Sequence, residues 1–179
     1  FLTCLEEREL HLWRFLRLGY DRGPWVVRDL TDDRVAVLTR AVGHLTGEAH
    51  LLKGFTRFSE QEGVLVGEIA PKNRVLPLLR PHFCARYPEE SFVLYDRTHR
   101  EALFYRPRRW AIVPLEAFRA AAPGREERDF RRLWRRFYDT IAIEGRENPR
   151  CRMTQMPKRF WGTMTEFQNE TEERKELAP

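Results

Sequence analysis

The chain has 179 residues, 42% of them hydrophobic, which is enough for one domain with a sizeable core and too apolar for wholesale disorder. No apolar run approaches the roughly 20 residues a membrane-spanning helix needs. The opening Phe1-Leu2-Thr3-Cys4 has neither a basic n-region nor a cleavage-site pattern, so a cytoplasmic location without a signal peptide is expected. With no initiator Met, a processed or trimmed piece of a longer protein is expected.

The net charge of +5 is unevenly spread. Residues 125–160 hold eleven Arg or Lys against six Asp or Glu, a surplus of five, so all other residues sum to zero. Concentrated positive charge beside aromatic rings is the footprint of a phosphate-binding face. The 28 Arg against 4 Lys are less telling, because genome composition alone can produce that ratio. Cys4, Cys84 and Cys151 lie far apart with no CxxC pair. That pattern fits a reducing compartment and buried thiols, and argues against a disulfide framework or a structural zinc site.

In chain order, residues 5–18 read as a helix with an imperfect apolar stripe of Leu5, Leu10, Trp13 and Leu16, ended by Gly19 and Gly23-Pro24. A second helical stretch covers 25–30. Thr31 is placed as the N-cap of a third helix, with Asp32 and Asp33 in its first turn and Val35, Leu38, Val42 and Leu45 on one face. Gly43 and Gly47 suggest a bend near His44. The period then changes. Residues 55–58 and 64–69 flank a turn at 60–63, a hairpin signal. A short helix over 76–87 precedes strands at 92–95, 102–105 and 110–113. The fold class is α+β: an antiparallel sheet of about five short strands flanked by N-terminal and C-terminal helices.

Residues 1–167 read as a single α+β domain, helical over 5–53, sheet-rich over 54–114 and basic-helical over 125–167. An acidic, mobile tail over 168–179 is expected. Beyond a hinge at 120–124, the spacing of Phe130, Leu133, Trp134, Phe137 and Ile141 predicts a helix over 126–143 with an arginine-crowded back. Pro157 suits the first turn of a last short helix.

Three segments could carry chemistry. The 146–161 stretch offers Arg146, Asn148, Arg150, Arg152, Lys158 and Arg159 beside Phe160 and Trp161. Guanidinium groups grip phosphate bidentately, and exposed rings stack on unpaired bases. If Phe160 and Trp161 are core anchors instead, the arginines pair with nearby carboxylates. The 47–58 stretch places Glu48, His50, Lys53 and Arg57 at a helix-to-strand junction, where they could handle a phosphate or a proton. A lone histidine there also serves as a structural hydrogen-bonder. Near 80–86, His82 and Cys84 are two apart and would face apart on a helix, which disfavours a nucleophile pair. No phosphate loop, dinucleotide fingerprint, HExxH or GxSxG is present, and neither a metal nor a cofactor is expected.

These segments resemble a bacterial family of uncharacterised DNA-metabolism and DNA-repair proteins. The resemblance is carried by Gly47 through Phe58, by Pro81, His82, Phe83 and Arg86, and most of all by Asp139-Thr140-Ile141-Ala142-Ile143-Glu144-Gly145-Arg146-Glu147-Asn148-Pro149-Arg150 followed by Pro157-Lys158-Arg159-Phe160-Trp161. It covers about residues 10–167. Related proteins have a longer stretch before the first helix, so a segment is expected to be missing at Cys4-Leu5. The resemblance implies association with a radical-SAM protein and, in some members, fusion to a domain similar to uracil-DNA glycosylase. It assigns no activity to this domain.

Three readings follow. The first is a DNA-binding accessory domain for single-stranded or damaged DNA, using Arg57, Arg146, Asn148, Arg150, Arg152, Lys158, Arg159 and Trp161. The second is a DNA-processing nuclease or lyase, with Glu48, His50, Lys53, His82 and Asp139 as candidates for acid–base or nucleophilic roles. The third is an adaptor that docks a radical-SAM partner.

Overall fold

A computed structural model of the chain describes residues 1–116, 118, 133, 153–154 and 156–164. The expected hinge at 120–124, most of the basic helix at 126–143 and the acidic tail lie outside the described residues.

The fold is α+β. Helix α1 (Arg8–Arg22) and a 3₁₀ turn (Pro24–Arg28) lead into the long helix α2 (Asp33–Phe55). Strands β1 (Phe58–Gln61) and β2 (Val64–Ile69), helix α3 (Leu76–Arg86), and strands β3 (Phe92–Asp96), β4 (Glu101–Arg106) and β5 (Arg109–Pro114) follow. A C-terminal 3₁₀ helix spans Lys158–Thr163.

The N-cap of α2 is Asp32, not Thr31: the Asp32 carboxylate accepts from the Arg34 amide, while Thr31 is held by Asp29. The expected bend near His44 is absent. Leu45, Ala49 and Leu52 fall at i, i+4 and i+7 and are all buried, and that stripe outweighs the propensity cost of about 1 kcal/mol for each helical glycine. At the far end, the Thr56 amide and hydroxyl both return to the Leu52 carbonyl and stop the helix. Helix α1 runs past Gly19, and the expected stripe is not its buried side. Leu18 is buried against Val26 and Val35, whereas Trp13 and Leu16 are exposed.

The five strands pair in chain order, β1-β2-β3-β4-β5. Three pairings are antiparallel. The β2–β3 pair is parallel, with Leu65 opposite Phe92 and Ile69 opposite Asp96, so the sheet is mixed. Parallel neighbours need a crossover, and α3 supplies it. The turns obey local rules. Glu62 and Gly63 both have positive φ, matching the right-handed twist of the β1–β2 hairpin. Pro107 and Arg108, with Arg108 at φ 64°, close the β4–β5 hairpin as a type II turn would.

Helices α2 and α3 supply Leu45, Ala49, Leu52, Leu76, Leu79 and Phe83 to a core shared with Ile69, Phe92, Leu94, Leu103 and Tyr105 of the sheet. Each Leu, Ile or Phe among them contributes about 1.5–3 kcal/mol when fully buried. Phe160 and Met164 join the same core, which fixes the C-terminal 3₁₀ helix against the body. Gly67 sits where β1 comes closest. A Cβ there would lie 3.1 Å from the Arg57 carbonyl oxygen and 3.0 Å from the Phe58 ring. The backbone oxygen cannot yield as a side chain could. Gly67→Ala should therefore lower stability by about 1–3 kcal/mol, read by chemical denaturation; an unchanged midpoint would refute the close approach.

Candidate functional site

Glu48 is buried, and its carboxylate is fully engaged. Oε1 accepts from the Lys72 amide at 3.0 Å, and Oε2 accepts from the Asn73 amide at 2.9 Å and the Asn73 side-chain amide at 2.7 Å. Asn73 Oδ1 in turn accepts from the Cys4 amide at 2.9 Å. The same Oε1 lies 3.9 Å from the Arg159 guanidinium. Two segments singled out in the sequence, 47–58 and 146–161, thus meet at Glu48 and Arg159. Saturated donors around the carboxylate make it a clamp between α2 and the β2–α3 loop.

The C-terminal 3₁₀ helix is seated by Phe160, whose ring centroid is 5.4 Å from that of Phe55 at the end of α2. Lys158 and Arg159 are exposed on it. Trp161 is half-buried, donates its indole N–H to the Met156 carbonyl at 3.1 Å, and has the Lys158 ammonium 5.9 Å from its ring centre. Arg57 donates to the Gly54 carbonyl at 2.8 Å, closing the negative end of α2. Lys53 is half-buried and His50 is exposed. His82, on α3, has a buried Nε2 with no hydrogen-bond partner among the described residues. Burial pushes its pKa down, helped by the cations Lys53 and Arg86. Asp139, Arg146, Asn148, Arg150 and Arg152 lie outside the described residues. Cys84 is half-buried with its thiol pKa raised by burial, while Cys4 is exposed, contrary to the expected buried thiol.

One pair was missed from sequence. Asp96, at the end of β3, has no exposed surface and accepts from the amides of Thr98 and His99, while its second oxygen meets His99 Nδ1 at 2.7 Å. Burial raises the Asp96 pKa, opposed by its hydrogen bonds to His99 and Thr98. A carboxylate on Nδ1 fixes the imidazole's orientation and favours the tautomer with Nε2 as acceptor. The available signal was an Asp two and three residues before Thr98 and His99, an Asx-turn pattern directly after a strand.

A hollow of about 540 Å³ lies between the N-terminal segment and the first half of α2, lined in part by Cys4, Glu6, Arg40, His44 and Asn73. Among the described residues, no group of three or more His, Cys, Asp or Glu is placed to hold a metal, and no helix is long and apolar enough to cross a membrane.

Fold and site together define an α+β domain with a mixed five-stranded sheet, whose C-terminal 3₁₀ helix carries exposed Lys158 and Arg159 and packs Phe160 against Phe55 at the end of α2. The chain belongs to the DUF4130 family, a domain of unknown function, which matches residues 6–166. No curated protein and no solved structure matches it.

Two outcomes follow from this geometry. Glu48→Ala leaves the part-buried Lys72 amide and the buried Asn73 amide and side chain without their acceptor, so it should cost about 3 kcal/mol and lower the melting temperature by about 6–12 °C. Glu48→Gln, which keeps one acceptor oxygen, should cost less, and equal losses would argue against the clamp. For His82, a depressed folded pKa means that its contribution to stability is present above the ordinary value of 6.5 and is lost as pH falls through that value toward the folded one. Acidification should therefore destabilise the wild type more than His82→Phe, measured by urea unfolding across a pH series; parallel curves would contradict the shift.

Proposed function

We propose that this chain is a DNA-binding accessory domain of DNA repair or modification, positioning damaged or unpaired DNA for a fused or partner enzyme. The observation that carries the reading is the basic C-terminal 3₁₀ helix. Phe160 anchors it to the core, and Lys158 and Arg159 are left exposed on it. Cations on a rigid support bind phosphate with little ordering cost. The surplus of five positive charges over 125–160 extends the same character along the sequence.

The resemblance of the 139–150 and 157–161 segments to a bacterial family of uncharacterised proteins linked to DNA metabolism and DNA repair supplies the context. In that context the enzyme is a radical-SAM protein or a domain similar to uracil-DNA glycosylase, and the accessory domain itself carries phosphate-gripping and base-stacking groups.

The test is fluorescence anisotropy of labelled single-stranded and duplex DNA, with and without a uracil or abasic site, over a salt series. Affinity should fall linearly on a log–log salt plot. Lys158→Ala with Arg159→Ala should weaken every sequence alike and reduce the slope by about two. Absence of binding at low salt would favour the adaptor reading. The same strands run on a denaturing gel should stay intact. Cleavage abolished by His99→Ala would favour the nuclease or lyase reading, with the Asp96–His99 pair as its general base.

A further inference from the structure

The N-terminal helical arm exposes large rings that the core does not use. On α1, Trp13, Leu16, Arg17 and Tyr20 fall at i, i+3, i+4 and i+7, one side of the helix, and all four are exposed. Trp13 is 55% exposed, Tyr20 96%, and Trp25 of the following 3₁₀ turn 71%. The opposite side of the arm is its own small core, Leu18 against Val26 and Val35. Apolar packing therefore accounts for the arm's fold without these rings.

The rings are interleaved with arginines. The Arg17 guanidinium lies 5.5 Å from the Trp13 ring centre, and that of Arg28 lies 5.0 Å from the Trp25 centre. Arg14, Arg17 and Arg28 make no ion pair among the described residues, whereas Arg22 is drawn to Asp29 and Asp32. Burial under an apolar partner would strand those three charges. A ligand that brings anions and flat π-faces together satisfies both features, and a single strand of nucleic acid is that ligand. From Trp13 to Tyr20 the helix rises about 10 Å, enough to span several stacked bases.

We infer that the exposed rings of the N-terminal arm, Trp13 and Tyr20 on α1 and Trp25 on the 3₁₀ turn, stack on single-stranded nucleic acid. The inference rests on the nucleic-acid reading above for its ligand class and assigns it a surface separate from Lys158 and Arg159.

The experiment compares wild type, the Trp13→Ala/Trp25→Ala pair and the Lys158→Ala/Arg159→Ala pair. Each is titrated with labelled oligo(dT) by anisotropy and with inorganic polyphosphate in competition. The tryptophan pair should weaken oligo(dT) binding at least tenfold at constant salt slope, leave polyphosphate binding unchanged, and melt like wild type because both rings are exposed. Trp13→Phe/Trp25→Phe should retain most of the affinity. Wild-type oligo(dT) affinity in the tryptophan-to-alanine pair would overturn the stacking surface while leaving the nucleic-acid reading intact. A wild type that binds no oligo(dT) would overturn both. Sedimentation showing self-association that these substitutions abolish, with oligo(dT) affinity unchanged, would make the surface a protein interface instead.

Discussion

The structure depends on one buried carboxylate. Glu48 sits in the middle of the long helix, where an uncompensated charge would cost several kcal/mol. Donors from residues 72 and 73, more than twenty positions away, offset that cost. Asn73 then passes the connection to the Cys4 amide, and the neighbouring Arg74 amide donates to the Leu2 carbonyl. A single acid thereby ties the N-terminal segment, α2 and the loop that launches α3 into one unit. With Arg159 at 3.9 Å, the C-terminal segment is drawn to the same point. An apolar side chain of similar size would fill the space but leave the loop amides without acceptors, so the hydrogen bonds decide the residue type.

The basic residues near the end of α2 and on the C-terminal 3₁₀ helix have local partners of their own. The end of α2 carries the negative pole of the helix, and Lys53 and Arg57 complement it. Part of this charge is thus structural. Arg57 is committed to the Gly54 carbonyl, and Arg159 is partly drawn to Glu48, whereas Lys158 has no ion pair among the described residues. Any phosphate ligand would compete with these local partners at Arg57 and Arg159 but not at Lys158. Phe160 beneath them keeps the array in place, because its ring is buried against Phe55.

Much of the sheet was legible from sequence because its punctuation is local. Gly63, at positive φ, and Pro107 mark two of its turns by residue type, whereas Arg100 and Arg108 take positive φ without any such signal. The parallel β2–β3 pair was less so, although the helix read between those strands is the crossover that parallel neighbours require. At Gly43 and Gly47, local propensity argued for a bend and tertiary burial of Leu45, Ala49 and Leu52 overrode it. For the site, Glu48 and Arg159 stood out in separate segments. Their convergence needs the fold, since 111 positions separate them. Asp96 and His99 escaped notice because an Asp-to-backbone turn looks, as a sequence, like any polar hairpin connection.

The N-terminal arm shows the same limit from the other side. An apolar stripe at helical spacing predicts the buried face, yet Trp13 and Leu16 face outward, and burial falls to Leu18 and its partners. Three buried side chains contribute at most about 5–9 kcal/mol before ordering costs are subtracted, so the arm is held modestly by its own core. Its coupling to the body runs through α2 and through the backbone bonds at Leu2 and Cys4. A ligand that covered the exposed rings would stabilise the arm by mass action. It would also stabilise the Glu48–Asn73 node to which the N-terminal segment is tied.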